Sequence, residues 1–276
     1  MGKIARTWSL MSECWQVLKQ DKSLLVFPLI SGICCLLLLA SFAIPIYNSG
    51  AWRLPGHDAS TQHQVIYYAT LFSFYVCNYF VVVFFNAAII ACATIRLGGG
   101  NPTIGDGLRA AASRLPMIAG WALVCATVGL ILRIIEDRSD KIGQIVAGLV
   151  GMGWTVVSYL VVPILVVENK DPITALKDSA ALLKRTWGEQ VVGHFSFGAV
   201  FGLLAIPAFL IIILGAFLGS TVALIACIGV AVIYLVVLAL VQSALQSIFQ
   251  AALYLYARDG QIPAGFRSEV LENALS

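Results

Sequence analysis

Charge is what this chain has least of. Asp, Glu, Lys and Arg together make up 11% of its 276 residues, against 60% hydrophobic residues. That balance excludes a water-soluble globular protein of this length. Segments of alternating polarity about 10 residues long are also absent, which excludes a membrane β-barrel. Cysteine pairs with metal or redox spacing are missing: there is no CxxC and no Cys/His cluster. Cys34, Cys35, Cys77, Cys92, Cys125 and Cys227 fall in apolar runs and only Cys14 lies outside them, so small buried hydrophobes are expected. No cysteine occurs in the loops expected outside, which excludes disulfides there.

Catalytic signatures are missing as well. The chain has no HExxH, no GxSxG and no carboxylate pair or aspartate within a central apolar run. Intramembrane hydrolysis and proton-coupled transport rest on such groups. His57, Asp58 and His63 fit no metal-ligand spacing, and Gly98-Gly99-Gly100 lacks the Lys-Ser/Thr sequel of a nucleotide loop. The expectation is a non-enzymatic protein with no catalytic residue, cofactor or metal.

What the chain does have is six long apolar runs: Leu24 to Tyr47, Val65 to Ile95, Leu115 to Ile135, Ile142 to Val167, Val191 to Gly215 and Thr221 to Tyr256. About 20 apolar residues cross a ~30 Å hydrocarbon layer as a helix, and a backbone in lipid must satisfy its own hydrogen bonds. The fold class is therefore all-α, a six-span membrane bundle. The first run is longer than the ~7–15 apolar residues of a signal peptide and follows a helix-forming segment, so no cleavage is expected. Of 17 basic residues, 13 fall on the side of Lys3, Arg96, Lys170 and Arg258, leaving Arg53, Arg133, Arg138 and Lys141 opposite. Positive loops stay cytoplasmic, so both termini are expected inside, at an inner membrane. The net charge of +3 follows from this bias and implies no nucleic-acid partner.

Three shorter segments precede pairs of spans. Ile4, Trp8, Met11, Trp15 and Leu18 form one stripe on a helix from Lys3 to Gln20, with Lys3, Arg6, Glu13 and Lys19 on its polar remainder. Ile173, Leu176, Ala180, Leu183 and Trp187 repeat the stripe after Asp171-Pro172, and Ile104, Leu108, Ala111 and Leu115 do so more weakly after Asn101-Pro102. The plan is a single membrane domain of three units, 1–97, 98–168 and 169–258, each an amphipathic helix plus a hairpin, with a tail 259–276. Trp8, Trp15 and Trp187 suit the membrane boundary, while packing on the bundle ends is an equal alternative. The sixth run, ~54 Å long as a helix, either breaks near Gly229 or needs a partner surface for Ile248, Phe249, Leu253 and Leu255.

Polar residues inside the runs are few. Gln242, Gln246 and Gln250 share one face of the sixth span with Ser243 and Ser247 beside them, and Asn78 and Asn86 share one face of the second. Phe85-Asn86-Ala87-Ala88 parallels Phe249-Gln250-Ala251-Ala252. This seam either joins helices, at ~0.6–2 kcal/mol per hydrogen bond, or lines a path. His194 is the only histidine in an apolar run and shares a face with Gly198 and Gly202, where another helix is expected to approach. Gly143, Ala147 and Gly151 make a second small-residue face, and Arg133, Glu136, Asp137, Arg138, Asp140 and Lys141 crowd a solvated hairpin tip.

The run Asp21-Lys22-Ser23-Leu24-Leu25-Val26-Phe27-Pro28-Leu29-Ile30-Ser31-Gly32, following a Trp-containing amphipathic helix, resembles uncharacterised bacterial six-span inner-membrane proteins grouped as a domain of unknown function. The plan of in-plane helix plus hairpin is also similar to the membrane domain of glycerophosphodiester phosphodiesterases, whose catalytic domain is soluble and has no counterpart here. Neither resemblance implies site residues. The expected role is to organise membrane lipids or a partner membrane protein at the cytoplasmic face; the alternative is a transporter or channel for a small solute or lipid.

Overall fold

Pro163 lies where the fourth span is interrupted. In an unbroken helix its ring would clash with the carbonyl of Tyr159, and it offers no N–H to that carbonyl. The fourth span accordingly stops and restarts: α6 runs Lys141–Val157, a turn covers 158–160, and α7 runs Val161–Glu168 with Pro163 in its first turn. The sequence had suggested one continuous span here. The computed structural model describes residues 3–49, 61–138, 141–186, 192–260 and 266.

The remaining elements are α1 (Lys3–Gln20), a 3₁₀ turn (Lys22–Leu25), α2 (Val26–Ser49), α3 (Thr61–Leu97), α4 (Ile104–Ala112), α5 (Leu115–Arg138), α8 (Pro172–Thr186), α9 (Val192–Phe217) and α10 (Thr221–Asp259). No strand occurs among the described residues, and six helical stretches are long and apolar enough to cross a membrane. The fold is all-α, as expected. The short helices α1, α4 and α8 gather at one end, here the near end, and the α9–α10 turn marks the far end.

Residue chemistry explains the helix ends. Thr103 caps α4 in a capping box: its hydroxyl accepts from the Asp106 amide at 3.2 Å while Asp106 accepts from the Thr103 amide at 2.9 Å. Pro102, expected inside the helix, stands before the cap. Asp171 caps α8 by accepting from the Ile173 and Thr174 amides, both at 3.1 Å, with Pro172 in the first helical position as expected. These hydrogen bonds hold the Asp106 and Asp171 carboxyls below the usual carboxylate range, in each case led by the threonine side chain (Thr103, Thr174).

The core is not spread evenly along the spans. It sits at the near end, where α1, α3, α4, α7, α8 and the last third of α10 enclose Leu18, Phe27, Ile90, Ile118, Ile164 and Leu253. Further out, α2, α6, α9 and α10 expose Leu36, Leu149, Leu203 and Ile233, as lipid-facing helices do. α10 passes Gly229 without a break, and its extra length is packed: Ile248, Phe249 and Leu253 are all buried. Arg96 ties the end of α3 to Gln20 of α1 at 3.2 Å and to Asn101, while Arg114 donates to the Val166 carbonyl at 3.3 Å.

Tight packing of α4 on α3 depends on one glycine. A Cβ at Gly107 would lie 2.6 Å from Cys92 Sγ, 2.7 Å from the Ala88 carbonyl oxygen and 2.8 Å from Phe27 Cζ. Gly198 and Gly202 behave differently from expectation: both are exposed and, among the described residues, nothing lies within 4 Å of an added Cβ. On α6, Ala147 is buried and Gly151 meets Leu132 of α5 at ordinary contact distance.

Two amphipathic stripes are rotated from their expected positions. α1 buries Leu10, Met11, Cys14, Val17 and Leu18, whereas Trp8 is 62% and Trp15 40% exposed. Glu13, expected on the solvent face, is only 4% exposed. α8 buries Ala175, Ser179 and Leu183 and leaves Ile173 half exposed. The reason is that both helices pack on other helices, where small residues permit close approach, so the inward face is not the bulkiest one.

Candidate functional site

The break in the fourth span leaves main-chain groups without helical partners, and each needs another partner. Ser179 of α8 supplies two. Its hydroxyl donates to the Val157 carbonyl at 2.6 Å and accepts from the Leu160 amide at 3.1 Å. Gln250 of α10 supplies the third, donating its side-chain amide to the Tyr159 carbonyl, the one that Pro163 cannot serve. Ser247, one turn along α10, lies 3.1 Å from Asn86 Oδ1 of α3 and 3.0 Å from the Ser243 carbonyl.

The Gln250–Tyr159 and Ser247–Asn86 contacts form part of the wall of a cavity of about 360 Å³ between α2, α3, the α6–α7 break and α10. Its polar lining is Ser31, Asn86, Thr155, Ser158, Tyr159, Ser243, Gln246, Ser247 and Gln250. Among the described residues no charged side chain lines it. The cavity has a floor and a mouth. Towards the near end its walls are Ile89, Val162 and Gln250, all under 10% exposed. Towards the far end they are Val82, Thr155 and Ser243, all exposed.

The amide seam expected from sequence thus splits into three roles. Asn86, Gln246 and Gln250 meet at the cavity, although they come from different spans. Asn78, two turns outward from Asn86, lies near the Cys35 thiol of α2 and outside the lining. Gln242 is half-buried and lies outside the lining. The side chain of His194 and the whole of Trp187 lie outside the described residues, as do His57, Asp58 and the side chain of His63. Sequence reasoning missed Thr155, Ser158, Tyr159 and Ser179. The overlooked signal was Pro163, four residues after Tyr159 in an otherwise apolar run.

The near end carries a separate charged network. Lys170 Nζ sits 2.6 Å from Glu168 and 2.7 Å from Asp178. Glu168 accepts from the Tyr254 hydroxyl at 2.7 Å, and that hydroxyl accepts from Arg258 at 3.2 Å. The two carboxylates, Asp178 foremost, push the Lys170 ammonium above its ordinary range. This network ties α7, α8 and α10 together, and every member has a partner, which suits a fastening better than a reaction centre. At the far end, Arg133 pairs with Asp137 at 3.2 Å and with Glu136 at 3.9 Å, as a solvated hairpin tip does.

A family model described as a family of unknown function, DUF6159, matches residues 65–266. The chain belongs to that family. No curated protein matches it. The matched residues include all of the cavity lining except Pro28 and Ser31 of α2. The Asp21-to-Gly32 run, which carried the resemblance at the sequence level, lies outside the match.

Proposed function

We propose that this chain is a non-enzymatic, multi-pass inner-membrane protein that organises anionic lipids at its cytoplasmic face. In this reading the near end faces the cytoplasm, following the 13 basic residues on that side. The observation that carries it is the outer edge of α1. Trp8 and Trp15 are exposed there although Leu10, Met11, Cys14, Val17 and Leu18 of the same helix are packed, and Lys19 Nζ stands 5.6 Å over the Trp15 ring. An exposed tryptophan next to a lysine suits the boundary between acyl chains and anionic headgroups. Exposed Lys22, Arg109, Lys177 and Lys184 extend the basic surface across α4 and α8. A partner membrane protein is the second occupant proposed for this face, and no nucleic-acid partner is proposed. The three units, 1–97, 98–168 and 169–258, each supply one of its short helices.

A transporter remains the second proposed function, because a polar cavity exists. Its closed floor means that passage needs the α6–α7 break to move. The deciding experiment for the leading proposal reconstitutes the protein in nanodiscs of mixed neutral and anionic lipid and measures which lipid surrounds it. Basic residues near such a surface contribute ~1 kcal/mol each, so anionic enrichment should fall severalfold in Lys19→Glu/Lys22→Glu and partly in Trp15→Ala. An unchanged lipid shell in both variants would sink the proposal.

A further inference from the structure

The cavity at the break has a hydrogen-bonding character that its lining residues determine. Thr155 donates its hydroxyl proton to the Gly151 carbonyl at 2.9 Å, and Ser158 donates to Trp154 at 2.7 Å. Ser247 is committed to the Ser243 carbonyl or to Asn86, and the Gln250 amide to Tyr159. Thr155, Ser158 and Ser247 thereby turn hydroxyl oxygens to the cavity as acceptors, while Gln250 uses one of its two amide protons on Tyr159 and Asn86 takes part through its oxygen alone, so both keep N–H donors. Gln246, on the same wall, has both donors and an acceptor. A hydroxyl-bearing occupant, which both donates and accepts, matches this mixed lining.

Charge on the occupant is disfavoured. Among the described residues no Lys, Arg, His, Asp or Glu lines the cavity, so a charge moved there from water would meet no counter-ion in this lining. Its size falls at the lower end of the ~300–1,000 Å³ common for small-ligand pockets, enough for a compact polyol. The surroundings of the mouth supply the other half of the argument. One or two turns outward from Ser31, Thr155 and Ser243, the same helix faces carry Cys35, Met152 and Val236, and nothing lies within 4 Å of a Cβ added at Gly148. A polar head seated on Gln246 thus continues into an uncharged, open, lipid-like slot.

We propose that this cavity binds the uncharged, hydroxyl-bearing head of a single-chain amphiphile, with the head against Gln246 and Asn86 and the acyl chain leaving past Thr155 and Ser243. This site is independent of the lipid-organising surface on α1, with which it shares no residue. The test uses the full chain in lauryldimethylamine oxide, a detergent without hydroxyls, with 1-monooleoylglycerol as the probe. Native mass spectrometry counts the lipid retained.

The expected result is stoichiometric retention of monooleoylglycerol by the wild-type chain. Retention should fall roughly tenfold in Gln246→Leu, the loss of about one good hydrogen bond in a dry site. It should also fall in Ser243→Phe, which blocks the mouth at an exposed position and leaves the core intact. If Gln246→Leu lowers the melting temperature, the Ser243→Phe variant decides alone. Equal retention in the wild-type chain and Ser243→Phe overturns the site. Equal binding of oleoyl lysophosphatidate overturns the requirement for an uncharged head. Displacement by free glycerol at the same concentration overturns the amphiphile in favour of a soluble polyol.

Discussion

Ser179 of α8 and Leu160, just before α7, are joined by a 3.1 Å hydrogen bond from the Leu160 main-chain amide to the Ser179 hydroxyl, and the same hydroxyl donates to Val157 on the other side of the break. One buried side chain thus bridges both ends of an interrupted membrane helix. The amphipathic helix that carries it is consequently part of the bundle's interior structure, beyond any role at the membrane surface.

The bridge makes Ser179 a point of weakness. Ser179→Ala should leave a buried amide and a buried carbonyl unpaired and cost about 1–3 kcal/mol, read as a lowered melting temperature in detergent. Ser113→Ala, at an exposed hydroxyl that bonds only its own helix at 2.7 Å, should change little. Equal melting temperatures for the two variants would show that water takes over at the break.

Gly107 gives a second, steric prediction. A methyl group there meets a main-chain oxygen at 2.7 Å as well as two side chains, and the oxygen cannot move without shifting α3. Gly107→Ala should therefore destabilise by about 1–3 kcal/mol through overpacking. Gly198→Ala, with open space around it, should be neutral or slightly stabilising. A stable Gly107→Ala protein would mean that α4 sits further from α3.

Topology can be tested by labelling. Cysteines introduced at Ser60 and Ser139 should react with an impermeant maleimide on intact cells, and one at Ser268 should react only after lysis. Cys77 is exposed and Cys34, Cys35 and Cys227 are partly so, so the labelling is done in a background without the seven native cysteines. Labelling of Ser268→Cys with protection of Ser60→Cys would invert the orientation and with it the proposed cytoplasmic face.

Cys14 supplies a prediction about pH. Burial, reinforced by the neighbouring Glu13 charge, pushes its thiol above the ordinary thiol range. A raised folded-state value contributes stability that is whole below the unfolded thiol's ~8.5 and is lost as pH rises above it, because only the unfolded chain then sheds the proton. Stability should decline between about pH 8 and 10, and Cys14→Ala should flatten that decline. Thiol reagents at pH 9 should leave Cys14 untouched until the chain is unfolded. Reaction in the folded state at the rate of a free thiol would contradict its burial.

Much of this architecture was legible from residue order alone. Apolar runs long enough to cross lipid specify six helical spans because an unpaired backbone is prohibitively costly there. Asp171-Pro172 announced the start of α8, and the fourfold spacing of Gln242, Gln246 and Gln250 announced a polar face. Tertiary structure alone decided which surface each face meets. Helical periodicity defines a stripe only to within the angle between neighbouring residues, and hydropathy does not distinguish lipid from protein interior. That is why Trp8 and Trp15 turned outward, Ala175 and Ser179 turned inward, and Glu13 was buried. The same limit applies to the cavity. Pro163 required that the Tyr159 carbonyl lose its helical donor, but only the packing of α10 against the break supplied Gln250 as the replacement and left a polar space beside it.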